Sequence, residues 1–149
     1  SYANNDTPFT PAIGLIIALK DAIAYIKQQG IENLWERFKK MASATRLAAV
    51  ALGLEVFSKR PSNSVTAIVP PQGIPSKEIV KKMRKEYGIS IAAGQGELEN
   101  KIFRIAHMGW INEQDLIMCF SVLEKVLKDL GYKFKLGSSL VALQEEFYK

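Results

Sequence analysis

The chain has 149 residues, of which 48% are hydrophobic and 23% charged, a size and mixture that fit one globular domain able to bury its own core. No apolar run approaches the roughly 20 residues that cross a bilayer and no signal peptide opens the chain, so a cytoplasmic location without a membrane partner is expected. The net charge of +5 is spread over separate elements with acidic residues between them and no basic-aromatic motif, which favours solvated helix faces over a nucleic-acid stripe.

Taken in order, residues 1–10 are polar and contain the turn-like Asn4-Asn5-Asp6-Thr7-Pro8, an interdomain or loop segment. Thr10-Pro11 then resembles an N-cap followed by proline at the first helical position. A helix is expected from Pro11 to about Gln29. Its apolar stripe, Ala12, Ile16, Leu19, Ile23 and Ile26, is widened by Ile13, Ile17 and Ala24, so it should be buried on more than one side. Gly30 ends it, and a second long helix runs from Ile31 to Leu52, with Leu34, Phe38, Met41, Thr45 and Ala48 on one stripe. Trp35 and Phe38 are read as core.

Beyond Gly53 the texture changes to short β-branched runs: Leu54 to Phe57, Val65 to Val69, Ile89 to Ala92 and Ile102 to His107. Between them Ser76 is expected to cap a third helix that ends at Gly88. Asn112 should cap a fourth, with Glu113 and Asp115 in its first turn and Gly131 at its end. A last helix, Ser139 to Tyr148, reads as an appendage. The order is α+β: a small antiparallel or mixed sheet of about four strands with helices packed on one face, preceded by two long helices. The divisions are 1–10 as a loop segment, 11–136 as the domain proper and 137–149 as a helical appendage.

The anomaly in this pattern is Arg104. Alternation places Ile102, Arg104 and Ala106 on one strand face and Phe103, Ile105 and His107 on the other. A guanidinium between apolar neighbours is either an arginine on the wet face of an antiparallel sheet or a fork awaiting a carboxylate, which it can grip with two parallel hydrogen bonds.

Other chemistry is sparse. His107 is the only histidine and Cys119 the only cysteine, which excludes triads, zinc sites of several histidines, internal disulfides and thiolate clusters. Both are read as packing residues. Gly94-x-Gly96 lacks the third glycine of a dinucleotide loop and is read as a turn.

Several segments taken together resemble the class V aminotransferases, and within them the alanine/serine–glyoxylate group. These are Thr7-Pro8-Phe9-Thr10-Pro11 before a long helix, the junction Gly30-Ile31-Glu32-Asn33, the strand start Gly88-Ile89, and Phe103-Arg104-Ile105-Ala106-His107-Met108-Gly109. The resemblance covers nearly the whole chain and corresponds to the C-terminal, smaller domain of fold-type I enzymes that use pyridoxal phosphate.

It implies that Arg104 binds the substrate α-carboxylate. It also implies that Thr10 reaches across a homodimer interface to the cofactor phosphate of the neighbouring subunit, against the plain N-cap reading; a second phosphate contact, a tyrosine in some relatives, would fall to Thr7. The implied reaction moves an amino group from serine or alanine to glyoxylate or another 2-oxo acid. The lysine that carries the cofactor belongs to the family's large domain, and no lysine here stands in a matching context. Opening on Ser1-Tyr2-Ala3, the chain is therefore expected to be a piece of a longer enzyme, inactive and without bound cofactor when alone, and to hold no catalytic or metal-binding residue of its own. The alternatives are a stand-alone binding or dimerisation module, and a soluble hydrogenase small subunit, the label some relatives carry. One cysteine and one histidine cannot hold a nickel-iron or iron-sulfur centre, which weighs against the latter.

Overall fold

A computed structural model of the chain describes residues 9–149; the expected turn at residues 4–8 and Thr7 lie outside the described residues. The chain divides into two compact units, one ending at Glu36 and one beginning at Arg37.

The first unit holds α1 (Ile13–Gln29) and the start of α2 (Ile31–Ala51). Helix α1 begins two residues later than the sequence pattern predicts. Its N-cap is Ala12, with no side-chain cap, and not Thr10. The cause is local. The Pro11 carbonyl accepts the Ile13 N–H at 2.8 Å in a tight turn, so the first helical bond runs from Ile16 N–H to the Ala12 carbonyl at 3.1 Å. No described side chain of α1 is buried, and Ile13, Leu15, Ile16 and Leu19 are each more than half exposed. The expected burial on more than one side is therefore not met within this unit, whose few residues offer no second layer to cover an apolar helix. Trp35, expected in the core, is also exposed, at 61%.

In the second unit α2 contributes Met41, Ala44, Ala48 and, just past its end, Leu52 to a buried core. Buried Thr45 satisfies its hydroxyl on the Met41 carbonyl at 2.8 Å. Four strands follow among the described residues: β1 (Glu55–Val56), β2 (Val65–Val69), β3 (Ala92–Ala93) and β4 (Phe103–Ala106). They pair antiparallel in the order β1-β2-β4-β3, so β4 is an interior strand although it comes last. Thr66 and Ile68 of β2 and Phe103 and Ile105 of β4 point inward and are buried. They meet α3 (Ser76–Tyr87) through Ile79 and Met83, and α4 (Glu113–Asp129) through Leu116, Phe120 and Leu123. The other sheet face carries Val65, Ala67, Ala92, Arg104 and Ala106, none of them buried.

Several local details depart from the sequence reading. Ile102 does not share Arg104's face; it precedes the strand and is 3% exposed. The strand expected at Ile89–Ala92 forms at Ala92–Ala93, while Ile89 and Ile91 pack against the core. Pro75, not Ser76, caps α3: its carbonyl takes the Glu78 N–H at 3.0 Å, which draws Ser76 into the helix with its hydroxyl buried and unpartnered.

Asn112 does cap α4, in a reciprocal box with Asp115 in which each side chain accepts the other's backbone N–H at 2.9 Å. Segment 137–149 is tied into the core. Leu143 and Phe147 of α5 (Ser138–Phe147) are buried, and α4 supplies the cap of α5: Glu124, 2% exposed, accepts from Gly137 N–H (2.6 Å), Ser139 N–H (3.1 Å) and the Ser139 hydroxyl (2.6 Å).

Candidate functional site

The open face of the sheet is where Arg104 stands. Its strand neighbours directly opposite are Ala67 on β2 and Ala92 on β3, and Ala106 lies two residues further along its own strand on the same face. Methyl groups therefore flank the base of the Arg104 side chain on three sides. Above them is a cleft of about 580 Å³, lined by Ser64, Val65, Ser90, Ile91 and Met108 together with Ala92, Arg104 and Ala106.

The guanidinium is partly buried and oriented by one bond, Nη2 donating to the Ala93 carbonyl at 2.9 Å. Nη2 carries a second hydrogen, while Nε is shielded from water and has no partner. A buried N–H without an acceptor is costly, of order 1–3 kcal/mol, and a carboxylate laid along the Nε and Nη2 edge would supply two acceptors at once. No acidic side chain lines the cleft. The carbonyl that aims Arg104 was not foreseen. The only sequence signal for it is the run of small residues Ala92-Ala93-Gly94, which lets the backbone come close. A Cβ on Gly94 would stand 1.9 Å from the Leu98 carbonyl oxygen.

On the opposite face of β4, His107 is fully buried. Its Nε2 lies 3.0 Å from the Thr66 hydroxyl, its backbone N–H donates to the Ser64 carbonyl at 3.1 Å, and Nδ1 makes no well-formed hydrogen bond. Burial, helped by the nearby Arg46 charge and opposed by the Asn63 backbone, pushes its pKa down from 6.5 to about 4. The ring is neutral at pH 7 and faces away from the Arg104 cleft. Cys119 is likewise interior, its thiol pushed up to about 12 by desolvation, which leaves it unreactive. Both match the packing roles expected of them.

Thr10 is exposed and belongs to the other unit. Its hydroxyl caps nothing, and it precedes a helix start whose first N–H groups have no intrahelical partners. Among the described residues no group of three or more His, Cys, Asp or Glu is placed to hold a metal, and no helix is long and apolar enough to cross a membrane.

No family model matches the chain. Among curated proteins it is 38% identical to serine–glyoxylate aminotransferase of Arabidopsis thaliana over 138 residues, 91% of this chain and 34% of that protein. It is 36% identical to a protein of Anabaena cylindrica named soluble hydrogenase 42 kDa subunit, over 97% of this chain and 38% of that one. Among solved structures, pyridoxamine-pyruvate aminotransferase of Mesorhizobium loti superposes with a TM-score of 0.91 at 28% identity, covering 97% of this chain and 38% of the other. The chain thus spans little more than a third of the length of the relatives it matches. In sequence and in fold it is homologous to the C-terminal portion of the class V, fold-type I aminotransferases.

Proposed function

We propose that the chain is the carboxylate-gripping part of an aminotransferase that carries an amino group from a small amino acid, serine or alanine, to glyoxylate or another 2-oxo acid. The observation that carries this reading is Arg104, held by one backbone bond with Nε unpartnered beneath a cleft that has no acidic lining. The name of the Arabidopsis relative supports serine and glyoxylate as the pair. Arg104 binds the acid end of the substrate and restricts its rotation, which decides which bond at the neighbouring carbon faces the reacting partner.

Thr10, with its free hydroxyl, would hold the phosphate of pyridoxal phosphate, reaching a neighbouring subunit's cofactor in a homodimer. When bound, that cofactor supplies the electron sink for breaking a bond at the amino-bearing carbon. With no lysine in a context that fits cofactor attachment, these 149 residues alone do not transaminate.

The test is an assay of the complete gene product for pyridoxal-phosphate-dependent transfer from serine or alanine to glyoxylate, with Arg104→Gln beside it. Loss of one partner of a charged pair of this kind costs about 2–5 kcal/mol, and it should appear in KM for both substrates and in kcat/KM. Normal kinetics in the Arg104→Gln enzyme would sink the assignment.

A further inference from the structure

Helix α3 carries its charges unevenly. Lys82 is compensated twice, by Glu86 at 2.8 Å and by Asp129 of α4 at 3.4 Å. Lys77, Lys81 and Lys85 instead follow one another at four-residue spacing, with Arg84 beside the last of them, and all four are exposed. Like charges at that spacing repel one another and weaken a helix. The helix dipole favours cations at Arg84 and Lys85 in the last turn, but it gives no reason for Lys77 and Lys81. Lys77 is paired with Glu99, whereas Lys81, Arg84 and Lys85 have no ion pair among the described residues. The four cations border a cleft of about 650 Å³ whose remaining lining is apolar, Val80 of the helix and Ala93 of the edge strand β3. No carboxylate lines it.

We propose that this outer face of α3 is a binding site for a compact polyanion, a triphosphate chain in particular. The three free cations fall within about 6 Å along the helix axis. An extended acidic peptide would set its same-side carboxylates about 6–7 Å apart and could engage two of them at most, whereas consecutive phosphates are close enough to meet all three. Lysine is depleted from the cores of protein interfaces, so a face of this composition is not one that a further domain or subunit would cover. The apolar surface that suits such a partner lies on α1. The site is separate from Arg104, which stands on the open face of the sheet, while α3 packs against the other face.

The experiment titrates tripolyphosphate, adenosine triphosphate without magnesium, and inorganic phosphate into the cofactor-loaded complete gene product by calorimetry. Both triphosphates should bind saturably, about tenfold or more tightly than inorganic phosphate, and weaken several-fold as salt rises from about 0.05 to 0.2 M. Tighter binding of the nucleotide would assign Val80 and Ala93 to its base; tighter binding of tripolyphosphate would assign the cleft to the inorganic chain. Lys81→Glu with Arg84→Glu should weaken both ligands by about tenfold or more, and the charge-neutral pair Lys81→Gln with Arg84→Gln by about threefold to fivefold. Lys59→Glu with Arg60→Glu makes the same change in net charge at another exposed place and should alter binding by less than about twofold. Arg104→Gln should leave it unchanged, so that the carboxylate reading and this one fail separately.

Undiminished binding in both Lys81 and Arg84 pairs would overturn the proposal. So would an equal loss in the Lys59 and Arg60 pair, which would reduce the effect to net charge. Saturable binding of duplex DNA without any of triphosphate would make the face a nucleic-acid contact and overturn it as well. Because the substituted side chains are exposed and the neutral pair removes repulsion, a damaged fold is distinguished by its urea midpoint.

Discussion

The Arg104 guanidinium is tied to the Ala93 carbonyl by a 2.9 Å bond from Nη2, so the side chain of β4 is aimed by the backbone of β3. The next residue, Gly94, donates its N–H to the Ile102 carbonyl at 2.9 Å and packs so closely under Leu98 that a Cβ would meet the carbonyl oxygen at 1.9 Å. A methyl there must displace backbone, since no flexible side chain is available to yield.

Gly94→Ala is therefore expected to destabilise the chain by about 1–3 kcal/mol and to swing Ala93 away from Arg104. Urea denaturation reads the first effect, and KM for serine or alanine in the complete gene product reads the second. A variant with an unchanged midpoint and unchanged KM would mean that the turn relaxes freely and that Ala93 does not depend on it.

The buried imidazole makes stability pH-dependent. Folding holds His107 near 4, below its ordinary 6.5, so as acid is added the unfolded chain takes up the proton first. Stability is full above pH 6.5, falls between 6.5 and 4, and levels off below, with a total loss of up to about 3 kcal/mol. Because the chain has a single histidine, its imidazole resonance can be followed directly. A titration midpoint near 6.5 in the folded protein would contradict this, as would unfolding free energies equal at pH 7 and 4.5.

Glu124 is expected to hold α5 in place. Glu124→Ala leaves the N–H groups of Gly137 and Ser139 and the Ser139 hydroxyl without their acceptor. Charge-assisted bonds of this type contribute about 1.5–3 kcal/mol, so the variant should lose roughly that much and exchange the amides of residues 138–147 faster than those of α4. Uniform exchange across both helices, or no loss of stability, would show that the carboxylate is dispensable.

The apolar surface of α1 should drive self-association. Five of its large apolar residues, Ile13, Leu15, Ile16, Ile17 and Leu19, are more than half exposed and lie within seven positions of one another. Sedimentation should show mass rising with concentration, and Leu15→Lys combined with Leu19→Lys should restore the monomer. A concentration-independent monomer for the unaltered chain would argue against it.

Much of the fold was legible because its signals are local. The alternation through Phe103, Arg104 and Ile105 and the Asn112–Asp115 box each fall within a few residues, and the observed bounds follow them closely. What the pattern missed depends on distant partners. Glu124 reads as one more charge on a helix face until Ser139, 15 residues on, folds back to it. His107 finds Thr66 across 41 residues, and Arg104's acceptor is a carbonyl, which no residue type announces. The misplacement of the α1 cap has another origin. Thr-Pro is a good cap signal, but Pro11's carbonyl can close a tighter turn first.

The position of β4 between two partners has a last consequence. Ladder bonds on both flanks fix the main chain at Arg104, where a cation on an outer strand or a loop would have to be recruited by whatever it binds. The entropy of settling the main chain beneath the charge is spent once, while the polypeptide folds, so an acid bound as proposed would have mainly its own water to shed. Moving the guanidinium more than its own rotamers allow would require two strand pairings to separate, so an exchange of ligands at this point can be fast without the protein opening.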